Sequence, residues 1–118
     1  MNAYIEFSKG IRETELPIIK LTKSKNGKTG TATFLFIKPS IFTFNRYSFQ
    51  EIDGMYLIWE NNKIITNDIF ILFKEGQPFL LKAIFIFKNS QEWFHFLNFM
   101  NCYSKETGLF FAETNSTD

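Results

Sequence analysis

The chain has little of several features that define large classes of protein. It contains a single cysteine, Cys102, so no disulfide can form within the chain, and a reducing compartment suits it. Its formal net charge of +1 gives no general attraction to nucleic acid or anionic lipid. The longest uncharged helical stretch runs over the eleven residues from Phe94 to Ser104. A bilayer span needs about 20 apolar residues, so we expect a soluble or peripheral protein.

The composition is that of a folded protein. Of 118 residues, 45% are hydrophobic and 21% are charged, which excludes intrinsic disorder and predicts one domain over residues 1–118. Sixteen Phe, fourteen Ile and eleven Lys stand against two Arg. The abundant residues have AT-rich codons, which favours an AT-rich genome such as that of an organelle.

The tripeptide Gly27-Lys28-Thr29 looks like the end of a phosphate-binding loop, but its surroundings do not fit. Such a loop needs a glycine five positions before the Gly-Lys pair, and that position is Thr22. It also needs a following helix whose N-terminus faces the phosphates, whereas residues 31–37 are a β-branched and aromatic run. We therefore expect no nucleotide site here.

The same segment is typical of a β-hairpin over residues 18–37. Asn26-Gly27 suits the two central positions of a type I′ turn, because both positions require positive φ. In that register Leu21 lies opposite Ala32 and Ile19 lies opposite Phe34, so the apolar residues share one face. The other face is polar and carries Lys20, Thr22, Thr31 and Thr33.

Further strands complete an antiparallel meander. Residues 4–7 form a short strand candidate, and longer ones follow at residues 52–60, 63–74 and 77–88. Two-residue turns, Asn61-Asn62 and Glu75-Gly76, separate the last three. Residues 40–51 show no regular period and are expected to form a loop. Four aromatic residues make that loop unusually apolar, so we expect it to make contacts: Phe42, Phe44, Tyr47 and Phe49.

The apolar period then changes from two to that of a helix. Trp93, Phe96, Leu97, Met100 and Tyr103 fall on one helical face. The ends carry suitable signals: Asn89 as N-cap, Glu92 three residues later, Lys105 in the last turn and Gly108 just past the end. The predicted fold is α+β, an antiparallel β-sheet meander with a C-terminal α-helix packed on one face.

No residue pattern indicates catalysis. His95 and Cys102 are expected on the outer side of the helix, and no third group is spaced to orient a Cys-His nucleophilic pair. A metal site needs three or four converging ligands, and none converge on these two residues. We predict no catalytic residue, no metal and no cofactor, and expect that the protein is not an enzyme.

Several motifs stand in a recognisable order along the chain. They are Phe7-Ser8-Lys9-Gly10, Leu21-Thr22-Lys23-Ser24-Lys25-Asn26-Gly27, Gly30-Thr31-Ala32-Thr33-Phe34, Ile52-Asp53-Gly54-Met55-Tyr56-Leu57-Ile58, Glu92-Trp93 and Gly108-Leu109. Across roughly residues 5–111 this order resembles the Psb28 family. That family comprises the small extrinsic photosystem II proteins of cyanobacteria and plastids, also called PsbW-type in red algae.

The resemblance implies a role, a partner and a location. Members of the family are not enzymes, bind no pigment or metal of their own, and serve photosystem II assembly, repair and protection. They dock transiently on the stromal or cytoplasmic face of assembly intermediates. There the inner chlorophyll-binding antenna subunit adds a C-terminal strand to their sheet, near the reaction-centre loop by the secondary quinone site. The chain is thus expected on a plastid thylakoid, or a cyanobacterial one, with photosystem II core subunits as partners and neither nucleic acid nor a small-molecule substrate.

The first hairpin supplies the candidate partner-binding residues. A meander leaves two unpaired edges, and an incoming peptide can add a strand there. A threonine-rich face can equally be a solvated sheet surface, but the resemblance favours docking by the block from Thr22 to Phe34 as a whole. The predicted partner-binding residues are Thr22, Lys23, Ser24, Lys25, Thr31 and Thr33.

Some positions depart from the family pattern. Lys23-Ser24-Lys25 replaces a customary Arg-Ser-Arg, which keeps the charge but loses bidentate geometry. Phe70 and Leu72 stand where relatives tend to have Lys, which leaves more exposed apolar surface.

A small RNA- or single-strand-binding β domain is the alternative function. The abundant aromatic residues and the basic hairpin tip favour it, because aromatic rings stack on bases. The low net charge and the lack of a ribonucleoprotein motif count against it.

Overall fold

The computed structural model describes residues 2–26, 29–44, 52, 54–109 and 111–115. Within these ranges the chain forms nine strands and two helices. They are β1 (Ala3–Ser8), β2 (Ile11–Arg12), β3 (Ile18–Lys23), β4 (Gly30–Ile37), α1 (Ile41–Phe44), β5 (Met55–Trp59), β6 (Asn62–Thr66), β7 (Ile69–Lys74), β8 (Gln77–Phe87), α2 (Ser90–Thr107) and β9 (Ala112–Asn115). The predicted α+β class is confirmed.

The strands are divided between two sheets instead of forming one continuous meander. Sheet I has the order β2-β1-β5-β6, and all of its pairs are antiparallel. Sheet II has the order β7-β8-β4-β3-β9. Its first four strands are antiparallel, as predicted, whereas β9 lies parallel to β3 and was not predicted.

The first hairpin has the predicted register. Ile19 pairs with Phe34 and Leu21 pairs with Ala32, and all four side chains are buried. Apolar and polar residues alternate over residues 19–22 and 31–34, so a slip of one residue would turn these four buried side chains to solvent. Gly27, the second residue of the predicted turn, lies outside the described residues.

The strand predicted over residues 63–74 is split into β6 and β7. The hydroxyl of Thr66 donates to the carbonyl of Ile84 (2.6 Å) and accepts from the backbone N–H of Asp68 (3.2 Å). Such local side-chain bonds compete with the strand ladder, and here they accompany the passage of the chain from sheet I to sheet II. The polar run Thr66-Asn67-Asp68 marks a break in the sequence, but it does not show that the strands on its two sides belong to different sheets.

Both later turns are tight, but one of them is shifted. Trp59 pairs with Asn62, so Glu60-Asn61 forms the turn, one residue before the predicted Asn61-Asn62. Glu60 has a φ of 52° there. The predicted turn at Glu75-Gly76 is confirmed, with φ angles of 54° and 77° that suit a type I′ turn.

The segment predicted as a loop over residues 40–51 begins with the short helix α1. The carboxylate of Glu13 accepts hydrogen bonds from the N–H (2.7 Å) and hydroxyl (2.8 Å) of Ser40 and from the N–H of Ile41 (3.0 Å). Backbone N–H groups at the start of a helix have no acceptor within the helix, and here the carboxylate of Glu13 accepts from those of Ser40 and Ile41. Ile41 and Phe42 are buried, and residues 45–51 lie outside the described part of the chain.

Helix α2 has the predicted ends. Oδ1 of Asn89 accepts from the N–H of Glu92 (2.9 Å), which satisfies a free donor of the first turn. Gly108 takes a φ of 76° and donates its N–H to the carbonyl of Ser104 (2.8 Å).

The buried face of α2 joins the two sheets. Phe96 packs against Phe34 of sheet II (ring centroids 6.1 Å apart), and Phe99 packs against Trp59 of sheet I (5.5 Å). Of the predicted face, four side chains are buried and Leu97 is partly buried; Phe99 is buried in addition. Among the described residues, no helix has the length and apolar character needed to span a membrane.

Candidate partner-binding surface

The polar rows of the first hairpin lie on the outer face of sheet II. Thr22 pairs with Thr31 across β3 and β4, and Thr31 pairs with Ile86 of β8. The adjacent row on the same face contains Lys20 and Thr33. The alternate residues of both strands are buried, so these side chains point away from the core. The structure thus brings the three predicted threonines together.

The predicted residues at the hairpin end have different surroundings. The hydroxyl of Ser24 donates to Oδ1 of Asn26 (2.6 Å) and accepts from the N–H of Thr29 (3.2 Å). The N–H of Ser24 also donates to the carbonyl of Thr29 (3.0 Å), so this residue closes the hairpin. Lys23 is half-buried and Lys25 is exposed. The two lysines are therefore better placed than Ser24 to reach a partner.

Only β3 gives this hairpin an edge, because β4 is paired on both sides by β3 and β8. The chain's own strand β9 runs along that edge. Lys20, Leu21, Thr22 and Lys23 stand in register with Ala112, Glu113, Thr114 and Asn115. The expectation of an open edge at the hairpin is corrected over these four positions.

Apolar side chains surround the polar rows. On the same outer face, Ile18 is 59% exposed, Phe70 51%, Leu72 55% and Ile86 63%. The sequence identified Phe70 and Leu72, whereas Ile18 and Ile86 were missed. The outer face of an antiparallel sheet is ordinarily polar, so isoleucine in a strand is taken as core. Exposed apolar surface of this kind is typical of an interaction site.

An open depression lies where the hairpin meets the end of β8. Its volume is about 360 Å³, and its lining includes Thr22, Ser24, Thr31, Ile86 and Lys88. The lining offers hydroxyl groups, one ammonium group and an aliphatic wall. Such groups can bind main-chain carbonyls, carboxylates and apolar side chains of a polypeptide.

His95 and Cys102 are not brought together. The ring of His95 lies 4.9 Å from that of Trp59, whereas Sγ of Cys102 lies 4.0 Å from a carboxylate oxygen of Glu60. Seven residues of helix separate the two side chains by about 10 Å along the axis. The described residues contain no group of three or more His, Cys, Asp or Glu that could hold a metal ion.

Comparison with known proteins extends over nearly the whole chain. Residues 5–111 match the family model described as Psb28 protein. Three relatives carry the name Photosystem II reaction center Psb28 protein. The one from Rippkaea orientalis is 41% identical over 115 residues (98% of this chain and 99% of the relative). The one from Cyanidioschyzon merolae is 39% identical over 112 residues (95% and 99%), and the one from Phaeodactylum tricornutum is 41% identical over 115 residues (98% and 100%).

The matched range is the range over which the sequence motifs stand in order. It begins within β1, includes β2 to β8 and both helices, and ends just before β9. The chain belongs to the Psb28 family.

Proposed function

We propose that this protein is a non-catalytic accessory protein of photosystem II. As a single domain, it docks transiently on assembly and repair intermediates at the stromal face of the thylakoid, or the cytoplasmic face in a cyanobacterium. Its partner is the inner chlorophyll-binding antenna subunit, which adds an extended segment to the edge of sheet II. The relatives' shared name supports the link to photosystem II, and the length of the match supports a common role.

Strand β3 supports the mode of docking. The edge of β3 that faces away from β4 pairs with the main chain of β9 over four residues, so this edge is able to accept a strand. Added strands gain main-chain hydrogen bonds, and alternate side chains provide selectivity. Here Lys20 and Lys23 provide positive charge along the edge, and Lys25 extends it toward the hairpin tip.

The RNA-binding alternative receives less support from the structure. It requires aromatic rings exposed beside the basic hairpin, where they could stack on bases. Four of the five rings on the strands of this hairpin and its neighbour are buried in the core: Phe34, Phe36, Phe85 and Phe87. The fifth, Phe79, is half-buried and lies at the end of β8 away from the basic hairpin turn. A filter-binding titration with single-stranded RNA checks the alternative, because phosphate binding weakens steeply with salt.

Affinity capture tests the proposal. A tagged copy is used to isolate complexes from thylakoids, and the co-purified subunits are identified. We expect the inner antenna subunit and an incomplete core complex. Recovery of RNA or of metabolic enzymes in their place would overturn the assignment.

Charge reversal tests the mode of docking within the same assay. We expect a K20E/K23E variant to capture at least about tenfold less antenna subunit, because it reverses the charge of the β3 edge. Lys63→Glu is a matched control: Lys63 is an exposed strand lysine, but it lies on sheet I. Equal losses in both variants would argue against docking at β3.

A further inference from the structure

Strand β9 lies on the edge at which the proposed function places the partner. We propose that β9 is a displaceable occupant of that edge: residues 112–115 cover it in the free protein, and an extended partner segment bearing acidic side chains replaces them. This inference rests on the proposed function and deepens it, since it adds a regulation of the same site and a chemical class of partner segment.

The pairing of β9 is short. It extends over four register positions, whereas β4 and β8 pair over eight. It is parallel, and parallel pairs are slightly less stable per residue than antiparallel ones. A longer partner strand can therefore compete for the edge.

The chain is anchored immediately before β9. Helix α2 ends at Thr107, and Gly108 caps it. Leu109 and Phe111 then pack, partly buried, against the core cluster. These two side chains hold the segment in place up to the residue before Ala112. The helix cap and these two anchoring side chains thus precede the strand that is displaced.

The length and the charge of β3 indicate what kind of strand can replace β9. Ile18 and Ile19 belong to β3 but lie outside the register of β9, so a partner can pair over all six residues of β3. Residues 18–26 contain three lysines and no acidic residue. Acidic side chains on the incoming segment would meet these lysines, and like charges there would be repelled.

A reversible disulfide provides the decisive test. Thr22 and Thr114 are register partners, and strands lie about 4.8 Å apart, within the roughly 4.4–6.8 Å between Cα atoms that a disulfide allows. A T22C/T114C pair is introduced into full-length protein that also carries Cys102→Ser. We expect the oxidised form to capture at least about tenfold less photosystem II intermediate than the same protein after reduction. Equal capture by the two forms would overturn the inference and leave the proposed function in place.

Truncation provides a second, independent readout. Removal of residues 112–118 frees the edge, and we expect about tenfold tighter capture if β9 leaves it open a tenth of the time. Those backbone amides of residues 20–23 that face β9 are also expected to exchange at least about tenfold faster in the truncated form than in the full chain, whereas the alternate amides that face β4 keep their rates. Unchanged exchange would show that β9 does not occupy the edge in solution and would overturn the inference. Failure of every form to capture photosystem II would overturn the proposed function itself.

Discussion

The indole of Trp93 lies directly against Gly30. A Cβ atom built on Gly30 would stand 2.5 Å from Cζ3 and 2.6 Å from Cε3 of that ring, closer than real Cβ contacts allow. Gly30 begins β4 and Trp93 lies in the first turns of α2. Because Gly30 has no side chain, the helix can approach sheet II closely. This contact sets the position of α2 against the sheet that carries the candidate surface.

Gly30→Ala is expected to lower the free energy of unfolding by about 1–3 kcal/mol, because an overpacked methyl group must displace a rigid ring or the backbone. Urea denaturation measures the change. A G30A/W93F double variant is the control: the smaller ring makes room, so the two changes are expected to be non-additive. Unaltered stability of the single variant would contradict the packing described here.

Glu13 is expected to stabilise the start of α1 from a distance in sequence. Glu13→Gln keeps the shape of the side chain but removes its charge and one acceptor, and four hydrogen bonds depend on that carboxylate: three from Ser40 and Ile41 and one from the backbone N–H of Glu15. We expect a loss of about 1–3 kcal/mol in the free energy of unfolding, measured by urea titration. Glu15→Gln, at an exposed position two residues on, is the matched control and is expected to change stability by less than about 0.5 kcal/mol. Similar losses in both variants would indicate a general charge effect.

The parts of the fold that the sequence predicts are those in which local and tertiary signals agree. The first hairpin alternates apolar and polar residues over positions 19–22 and 31–34, and α2 has a helical period with Asn89 and Gly108 at its ends. The break after Thr66 has a local signal, the polar run Thr66-Asn67-Asp68, but that signal does not show that the chain passes from one sheet to the other there. The pairing of β9 gives no such signal: Ala112–Asn115 is short and of mixed polarity, and it pairs in parallel with a strand far away in the chain.

The candidate surface divides in the same way. Register alone groups Thr22, Thr31 and Thr33 on one face, since it follows from alternation. Register does not show that the hydroxyl of Ser24 forms hydrogen bonds within the hairpin itself. Nor does it show that Ile86, on another strand, lies beside Thr31. Those relations depend on which strands become neighbours, and the spacing of apolar residues along the sequence does not determine that.

Tyr103 is expected to make the protein sensitive to alkaline pH. Burial, with a smaller effect from the negative charge of Glu13, raises the pKa of Tyr103 above its ordinary value of 10.0. The unfolded state therefore releases the phenol proton first, so this contribution to stability is complete below pH 10 and is lost as pH rises through the folded pKa. We expect a decline of at most about 1.4 kcal/mol per pH unit in that range.

Thermal denaturation between pH 9 and 12 measures this decline, and Tyr103→Phe is expected to reduce its slope. Tyr4→Phe controls for the loss of a phenol hydroxyl at a half-buried position of β1. A slope that persists unchanged in Tyr103→Phe would mean that other groups cause the alkaline unfolding.

Leu72 is expected to promote self-association of the free protein. It lies on β7, the edge strand of sheet II, whose residues from Ile69 to Phe73 carry no charge. Edge strands usually carry charged residues that prevent pairing with another chain, but the only charge on this strand is Lys74 at its end, and the other exposed side chains are apolar. Leu72→Lys is expected to raise the concentration at which light scattering first appears, with stability changed by less than about 0.5 kcal/mol because the side chain is exposed.

Ile65→Lys, on the edge strand of sheet I, is the matched control and is expected to have a smaller effect, since β6 already carries Lys63. If Leu72→Lys and the unaltered chain scatter at the same concentration, the β7 edge is not the site of association.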